Sequence, residues 1–308
     1  RMRRLRLATR GSKLALWQAE AVKAALMAAH PGLPEPEIVV ITTTGDVVRD
    51  RPLADVGGKG VFTREIDGAL LGDRADAAVH SMKDVETDLT PGTALVAMLE
   101  RADPREAFLS PVAASPAELP QGARVGSSSI RRRAQLLAAR PDLEVVLFRG
   151  NVDTRIAKLQ AGEVAATLLA LAGLQRLGRH GEVTRVLEIA EMLPPAGQAA
   201  VGITCRADDA EAAGLLAAID HAPTSLAVAA ERAVLARLDG SCRTPIAAHA
   251  VLDGERLSLE AMVFSADGAR TAHARREGLA VDGPALGEDA GAELAGIAGP
   301  DLFGSRPA

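Results

Sequence analysis

Two short stretches combine residue types that do chemistry. In DAAVHSMKDV (76–85) an apolar run ends in His80 and then presents Ser81, Lys83 and Asp84. An ammonium group can hold an anion, and a nearby carboxylate can stabilise a developing cation or relay a proton. A plain Lys83–Asp84 ion pair is the competing reading. Adjacent side chains of a strand point to opposite faces, so the chain must turn after His80 for both groups to face one cleft. In LDGSCRTPI (238–246) Cys242 stands between the turn signal Asp239-Gly240-Ser241 and a proline, beside Arg243. The thiolate is the nucleophilic form of cysteine, and a neighbouring guanidinium favours it; the alternative is a chance exposed thiol. The other cysteine, Cys205, follows the apolar run AAVGIT and reads as a small buried hydrophobe.

A third feature is distributed. Cations and hydroxyls gather where apolar runs give way to turns: Thr9-Arg10-Gly11-Ser12, Gly57-Gly58-Lys59-Gly60, Ser127-Ser128-Ser129 running into Arg131, Arg132 and Arg133, Arg149-Gly150-Asn151 leading to Arg155, and Arg176. In open α/β sheets ligands bind beyond the carboxyl ends of the strands, where helix N-termini offer free N–H groups to anions. Guanidinium forks add charge-assisted bonds to carboxylate or phosphate. One such loop is an ordinary capped helix start; several in one chain point to a site for a small polyanion. No Walker A or GxGxxG pattern is present, so a nucleotide is not indicated.

The composition narrows the partners. The 308 residues carry a net charge of −5, with 48% hydrophobic, 24% charged and 2% aromatic residues. A general nucleic-acid binder carries a basic excess and stacking aromatics, and this chain has neither. Two cysteines make no disulfide framework. The six histidines lack close metal-ligand spacing, so no metal is expected. RMRRLRL is not followed by the apolar core of a signal peptide, and the longest apolar run, VAATLLALAGL, is too short to span a bilayer. The expectation is a soluble, cytoplasmic protein with no membrane or nucleic-acid partner.

The elements that must position these groups read as follows. LRLAT, EIVVITT and DAAVH read as strands, separated by helices over LALWQAEAVKAALMAA, capped by Ser12, and TREIDGALL. Leu14, Trp17, Ala21 and Ala25 fall on one face of the first helix. The pattern resets near ERADPREAF (100–108): RVGSSS, EVVLFRGN and AATLLAL are strands, RRRAQLLAA, TRIAKLQAG and AGLQRLG helices. Strand–helix–strand alternation predicts parallel sheets with crossover helices. After LPPAGQ come two helices, three consecutive strands with Asp-Gly turns, and a terminal helix, an α+β module.

The segments LATRGSKLALWQA, VGGKGVF, HSMKDV, VGSSSIRRRAQL, FRGNVDTR, LALAGLQRLG, GQAAVGITCR and DGSCRTPI, in this order, resemble the porphobilinogen deaminase family from about residue 5 to residue 250. The resemblance implies an α/β fold with two periplasmic-binding-protein-like lobes around a cleft and a small C-terminal α+β domain. The first lobe would be 1–100 plus 195–218, the second 101–194, and the third domain 219–308. It also implies an enzyme that condenses four porphobilinogen molecules head to tail on an enzyme-bound dipyrromethane, with loss of ammonia, and then releases hydroxymethylbilane to water.

By motif, Cys242 would hold the dipyrromethane through a thioether and Asp84 would be catalytic. Ser81, Lys83, Ser127, Ser129, Arg131, Arg132 and Arg155 would bind the cofactor. Arg10, Ser12, Lys59, Phe62, Ser128, Arg149, Asn151, Arg176 and Gln198 would bind or cover the substrate. The family is typically monomeric. Four positions depart from its pattern: Glu86 for proline, Ala199 for glycine, Thr204 for glutamate and Ser241 for glycine. If position 199 needs a positive φ, alanine costs about 1 kcal/mol or more there. Two readings compete. A solute-binding protein with the same cleft would carry an export signal and gives Cys242 no role. A pyridoxal-phosphate enzyme would use Lys83 or Lys59 as its Schiff-base lysine.

Overall fold

The computed structural model describes residues 2–51, 56, 59–238 and 245–302, the last three by backbone alone. The chain opens with β1 (Arg6–Thr9), α1 (Lys13–Ala29), β2 (Glu37–Val40), the single turn α2 (Thr44–Val47), α3 (Arg64–Leu71), β3 (Ala77–Ser81) and β4 (Thr93–Met98). A second run follows: β5 (Glu106–Leu109), β6 (Arg124–Gly126), α4 (Ile130–Ala139), β7 (Glu144–Val146), α5 (Val152–Gln160), β8 (Ala166–Ala170), α6 (Leu171–Arg176) and β9 (Arg185–Leu187). The last run is β10 (Val201–Arg206), α7 (Ala210–Ala217), α8 (Ala222–Arg237), β11 (Ile246–Asp253), β12 (Arg256–Phe264), β13 (Thr271–Leu279) and α9 (Gly283–Leu302).

These elements form two α/β lobes and a small α+β domain. The first sheet has the order β2-β1-β3-β10-β4, the second β7-β6-β8-β5-β9, and the third β11-β12-β13. Neither large sheet is purely parallel, which corrects the expectation. β1 runs parallel to β2 and β3, but β10 is antiparallel to both β3 and β4. Likewise β6 is parallel to β7 and β8, while β5 is antiparallel to β8 and β9. Helical crossovers dictate parallel pairing only within βαβ units. The chain passes between the lobes twice, and each passage feeds in a strand, β5 or β10, from the opposite end.

Each large sheet is covered on both faces, so its central strands are buried throughout and read as apolar runs rather than alternations. In the first lobe Leu7, Val22, Leu26 and Ile203 pack on one face, and Ile66 and Leu70 on the other. In the second, Leu109, Ile156 and Leu174 lie on one side and Phe108, Val125 and Leu168 on the other. Burying each such side chain stabilises the fold by about 1.5–3 kcal/mol relative to exposure. The antiparallel third sheet buries one face against α8 and α9 through Ala230, Val234, Leu257 and Leu294.

The face that α1 buries is not the one that carries Leu14, Trp17, Ala21 and Ala25. Its buried residues are Gln18, Ala19, Val22 and Leu26, while Trp17 is exposed. Leu14 and Trp17 instead face α6, where Leu14 approaches Gly173 and the Arg176 guanidinium lies 5.2 Å from the Trp17 ring centroid. One stripe of α1 packs its own sheet and an adjacent stripe meets the other lobe.

The two passages between lobes run side by side. The Ala102 N–H donates to the Ala199 carbonyl (3.2 Å), and Arg101 Nε donates to the Gln198 carbonyl (2.8 Å). Both are fastened to α8 through the fully buried Glu231 carboxylate. It accepts from Arg101 Nη1 (2.6 Å) and Nη2 (2.9 Å), from the Gly197 N–H (2.8 Å) and from the Ala250 N–H (2.8 Å). Among the described residues no single helix is long and apolar enough to cross a membrane.

Candidate active site

β3 ends at Ser81 and turns at once into a short 3-10 helix, Met82–Asp84. This is the turn that lets Lys83 and Asp84 leave the alternation of the strand. Met82 is its buried anchor, at 1% exposure, and the Met82 N–H donates to the Ala200 carbonyl (2.9 Å). Ser81 Oγ is 3.1 Å from Gln18 Nε2, which donates to it. His80 is buried, its Nε2 lies 2.9 Å from Thr204 Oγ1, and burial pushes its pKa down to about 4. Thr204 thus supplies a neutral partner to a neutral imidazole.

Lys83 keeps an accessible face, yet protein surrounds it, and that enclosure governs its charge. Burial, reinforced by the Arg132 and Arg155 guanidiniums, pushes its pKa down to about 8, while Asp84 and Glu106 act in the opposite sense. Asp84 is half-buried and takes no hydrogen bond or ion pair among the described residues. Two further contacts brace this turn. The Gly60 N–H donates to Glu86 (2.8 Å), and Arg232 of α8 donates to the carbonyls of Val85 (3.0 Å) and Glu86 (2.7 Å).

The second lobe presents its turn after β6. Each serine is committed locally: Ser127 Oγ accepts from the Ser129 N–H (3.2 Å), Ser128 Oγ from the Phe148 N–H (3.1 Å), and Ser129 Oγ caps α4 at the Arg132 N–H (3.2 Å). The first turn of α4 then delivers Arg131 and Arg132 into the lobe. Both are buried and both bind Glu106, which is 0% exposed. Arg131 Nη2 donates to Glu106 Oε1 (2.6 Å) and Nη1 to the Leu193 carbonyl (2.9 Å). Arg132 donates to Glu106 Oε2 through Nη2 (2.8 Å) and Nε (3.1 Å), and through Nη1 to the Leu168 carbonyl (3.3 Å). Burial alone would raise the Glu106 carboxyl; Arg132 and Arg131 hold it well below the usual carboxylate range. Burial pushes Arg131 down to about 10. It does the same to Arg155, reinforced by Arg132 and Arg149.

The rim is built from both lobes. Arg10, at the end of β1, forks onto Asp46, with Nε 3.0 Å and 3.3 Å from the two carboxylate oxygens and Nη2 in a short contact. Phe62 covers the guanidinium at 4.1 Å, and Gly45 lets the ring approach, since a Cβ there would lie 2.2 Å from it. Arg149 reaches across from the second lobe to the carbonyls of Val48 (2.9 Å), Arg51 (2.9 Å) and Gly45 (3.4 Å). Gly150 follows at φ +133°, a conformation open to glycine, and Asn151 caps α5 at the Thr154 N–H (2.8 Å). Arg155 Nε bonds the Gly150 carbonyl (2.9 Å). Ser12 caps α1 at the Ala15 N–H (3.2 Å), and Lys59 is exposed.

Arg176 donates to the Ala199 carbonyl (2.9 Å). Between the lobes a cavity of about 30 Å³ is lined by Gln18, Ser81 and Lys83 from one side, Gly173 and Arg176 from the other, and Ala199 at the passage. Gln198 is fully buried in the passage rather than on the cleft wall. Its Nε2 donates to the Pro104 carbonyl (2.8 Å), and its Oε1 has no donor among the described residues.

The structure therefore brings Lys83, Asp84, Arg132 and Arg155 into one electrostatic neighbourhood, with Ser81 and Arg176 beside it. It commits Arg131 and Arg132 to Glu106 and Gln198 to the passage. Cys242 and Ser241 lie outside the described residues, as do Gly57 and Gly58. What is described is that α8, which leads to that cysteine segment, is bonded to residues 85 and 86 directly after Asp84. Three residues of the site escaped the sequence reading: Gln18, Asp46 and Glu106. Gln18 sits one position from the stripe assigned to α1. Asp46 and Glu106 carried a signal only in being carboxylates that any chain rich in inward-facing arginines must supply.

A polyanion such as a dipyrromethane with its carboxylates suits the charge of these residues. Burial, and after it the neighbouring guanidiniums, push the pKa values of Lys83 and Arg155 down, as in a cluster short of negative charge. The family model described as porphobilinogen deaminase, dipyromethane cofactor binding domain, matches residues 5–214, and that of the porphobilinogen deaminase C-terminal domain matches residues 225–296. Curated relatives named porphobilinogen deaminase run nearly the full length. The Paracoccus denitrificans protein is 54% identical over 97% of this chain and 96% of its own, and the Nitrobacter hamburgensis protein 50% over 96% and 94%. The chloroplastic protein of Oryza sativa subsp. japonica is 51% identical over 98% of this chain and 86% of its own. Among solved structures, the methionine binding protein MetQ is 14% identical with a TM-score of 0.45, covering 70% of this chain and 88% of its own; the sheet orders, not this likeness, define the fold described above. By its matched domains and its relatives, this chain belongs to the porphobilinogen deaminase family.

Proposed function

We propose that the cleft between the two lobes carries out the family's reaction, the stepwise condensation of four porphobilinogen molecules with loss of ammonia and release of hydroxymethylbilane. The observation that carries the residue assignment is the crowding of Lys83, Arg132 and Arg155, contributed by both lobes, around the turn that bears Asp84. Each pyrrole unit brings two carboxylates, and this cluster supplies the opposite charge. When bound through Cys242, the dipyrromethane supplies the pyrrole carbon to which the first unit is added. Lys83, Arg132, Arg155, Ser127 and Ser129 hold its carboxylates, and Arg10, Arg149 and Arg176 hold those of incoming units. Asp84 stands as a fixed carboxylate where positive charge develops as ammonia leaves. Its lack of a committed partner among the described residues supports that role.

The lobe boundaries that go with this reading are 1–100 with 195–218, then 101–194, then 219–308, supported by β10 pairing inside the first sheet. The working form is a cytoplasmic monomer. The test is intact-mass analysis with peptide mapping, together with ammonia release from porphobilinogen. An adduct of two linked pyrroles on Cys242 is expected, and Asp84→Asn should fold normally while losing about 10²–10³ in kcat. An unmodified Cys242 with no ammonia release would reject the activity; wild-type turnover in Asp84→Asn would reject the assignment of that residue.

A further inference from the structure

A carboxylate buried in the core of a lobe is costly unless it is fully paired. Glu106 is 0% exposed and takes three N–H bonds from two adjacent guanidiniums. It stands at the start of β5, paired in register with Ala170, the residue that lines the inter-lobe cavity and leads into α6. It is also felt by Lys83 from the opposite lobe. One internal carboxylate thus reaches three cations from both walls of the cleft.

We infer that Glu106 is a positioning residue for the reaction: a permanent internal counter-charge that orients Arg131 and Arg132 and offsets the repulsion they exert on Lys83 across the cleft. The inference rests on the reading that the cleft takes pyrrole carboxylates. Without Glu106, Arg131 and Arg132 are neighbouring buried cations left, among the described residues, with the Leu193 and Leu168 carbonyls as partners. They would repel each other, and Arg132 would act on Lys83 without opposition from β5. The charged groups facing Lys83 are Asp84 on its own turn, Glu106 from β5, Arg132 from α4, Arg155 from α5 and, across the cavity, Arg176 from α6. Of these, Glu106 is the one carboxylate contributed by the second lobe. A purely structural ion pair would support the fold and leave the titration of Lys83 unchanged.

The experiment compares wild type, Glu106→Gln and Glu106→Asp as purified full-length holoenzymes. The titration of each lysine is read from the pH dependence of amine labelling and peptide mass, with Lys13 and Lys23 of α1 as internal references, and kcat and KM for porphobilinogen are measured alongside. Lys83 should titrate about one unit lower in Glu106→Gln and return close to wild type in Glu106→Asp. KM at pH 8 should rise about tenfold in Glu106→Gln, more than kcat falls. Should Glu106→Gln not accumulate as folded protein, Arg131→Met tests the same point with the opposite sign: fewer cations share Glu106, so Lys83 titrates higher. Identical Lys83 titration in wild type and Glu106→Gln, or an unchanged or lower value in Arg131→Met, would overturn the inference while leaving the activity intact. Absence of ammonia release by wild type would instead remove the reading beneath it.

Discussion

Lys83 is the residue whose charge depends most on what fills the cleft. With its pKa pushed down to about 8 by burial and by Arg132 and Arg155, it is about half protonated at pH 8 when no anion is present. A bound polyanion favours the charged form, so the pKa rises toward its ordinary value and binding takes up a proton. Cys242→Ala, which cannot hold the cofactor, should therefore show Lys83 titrating near 8 by amine labelling. Wild type carrying dipyrromethane should show it at least about one unit higher. Equal values in the two proteins would separate Lys83 from the cofactor's carboxylates. At this scale the sequence was most informative where function resides in a motif. HSMKDV marked Lys83 and Asp84, and the serine turn marked Arg132. It could not show that Arg131 and Arg132 both bind the core carboxylate Glu106, because that depends on which way each guanidinium leaves α4.

At the scale of elements the hinge between lobes is the informative region. Ala199 adopts φ +69° in the returning passage, the left-handed conformation anticipated for that position, and its carbonyl accepts from both Ala102 and Arg176. An L-residue there is strained by about 1–2 kcal/mol, and a glycine's extra freedom in the unfolded chain offsets part of the relief. Ala199→Gly should raise the free energy of unfolding by about 0.5 kcal/mol in denaturant titrations; a destabilised variant would mean that the Ala199 methyl group packs more favourably than its backbone is strained. The helices were legible because their apolar stripes and caps are local: Ser12, Ser129 and Asn151 all cap where the sequence placed a helix start. β4, β5 and β9 were not read as strands. β5 carries a buried glutamate, and β9 is three residues long with an exposed arginine, so neither offers a continuous apolar run. Strand direction was misread for a different reason. Antiparallel entry of β5 and β10 is a property of the path between lobes, and local pattern carries no record of it.

At the scale of the molecule, the two passages and the C-terminal domain converge on Glu231, so one carboxylate ties the geometry of the cleft to α8 and thereby to the segment that carries Cys242. Burial would raise its pKa, but the Arg101 guanidinium and His249 hold it below the ordinary carboxylate value. A carboxyl group depressed on folding contributes stability that is present above the unfolded pKa, about 4.3, and is lost as pH falls through the folded value. The Glu231 contribution should therefore stay constant from pH 7 to about 5 and be lost progressively below, on top of the loss from about pH 6.5 downward that the buried, neutral His80 imposes on wild type and variant alike. Glu231→Gln leaves Arg101 buried without a charge partner and should be less stable at pH 7 by about 3–5 kcal/mol. The same variant should lose less on acidification, because the group that titrates is gone. Denaturant unfolding at pH 7 and pH 4 measures both effects. A parallel pH dependence in the two proteins would show that the acid sensitivity arises elsewhere, with Glu106 the next carboxylate to test, since it too is buried and held in its ionised form by two guanidiniums. Loss of turnover in Glu231→Gln at a pH where it remains folded would further show that the angle between lobes, and not only their individual surfaces, sets the spacing of the cations.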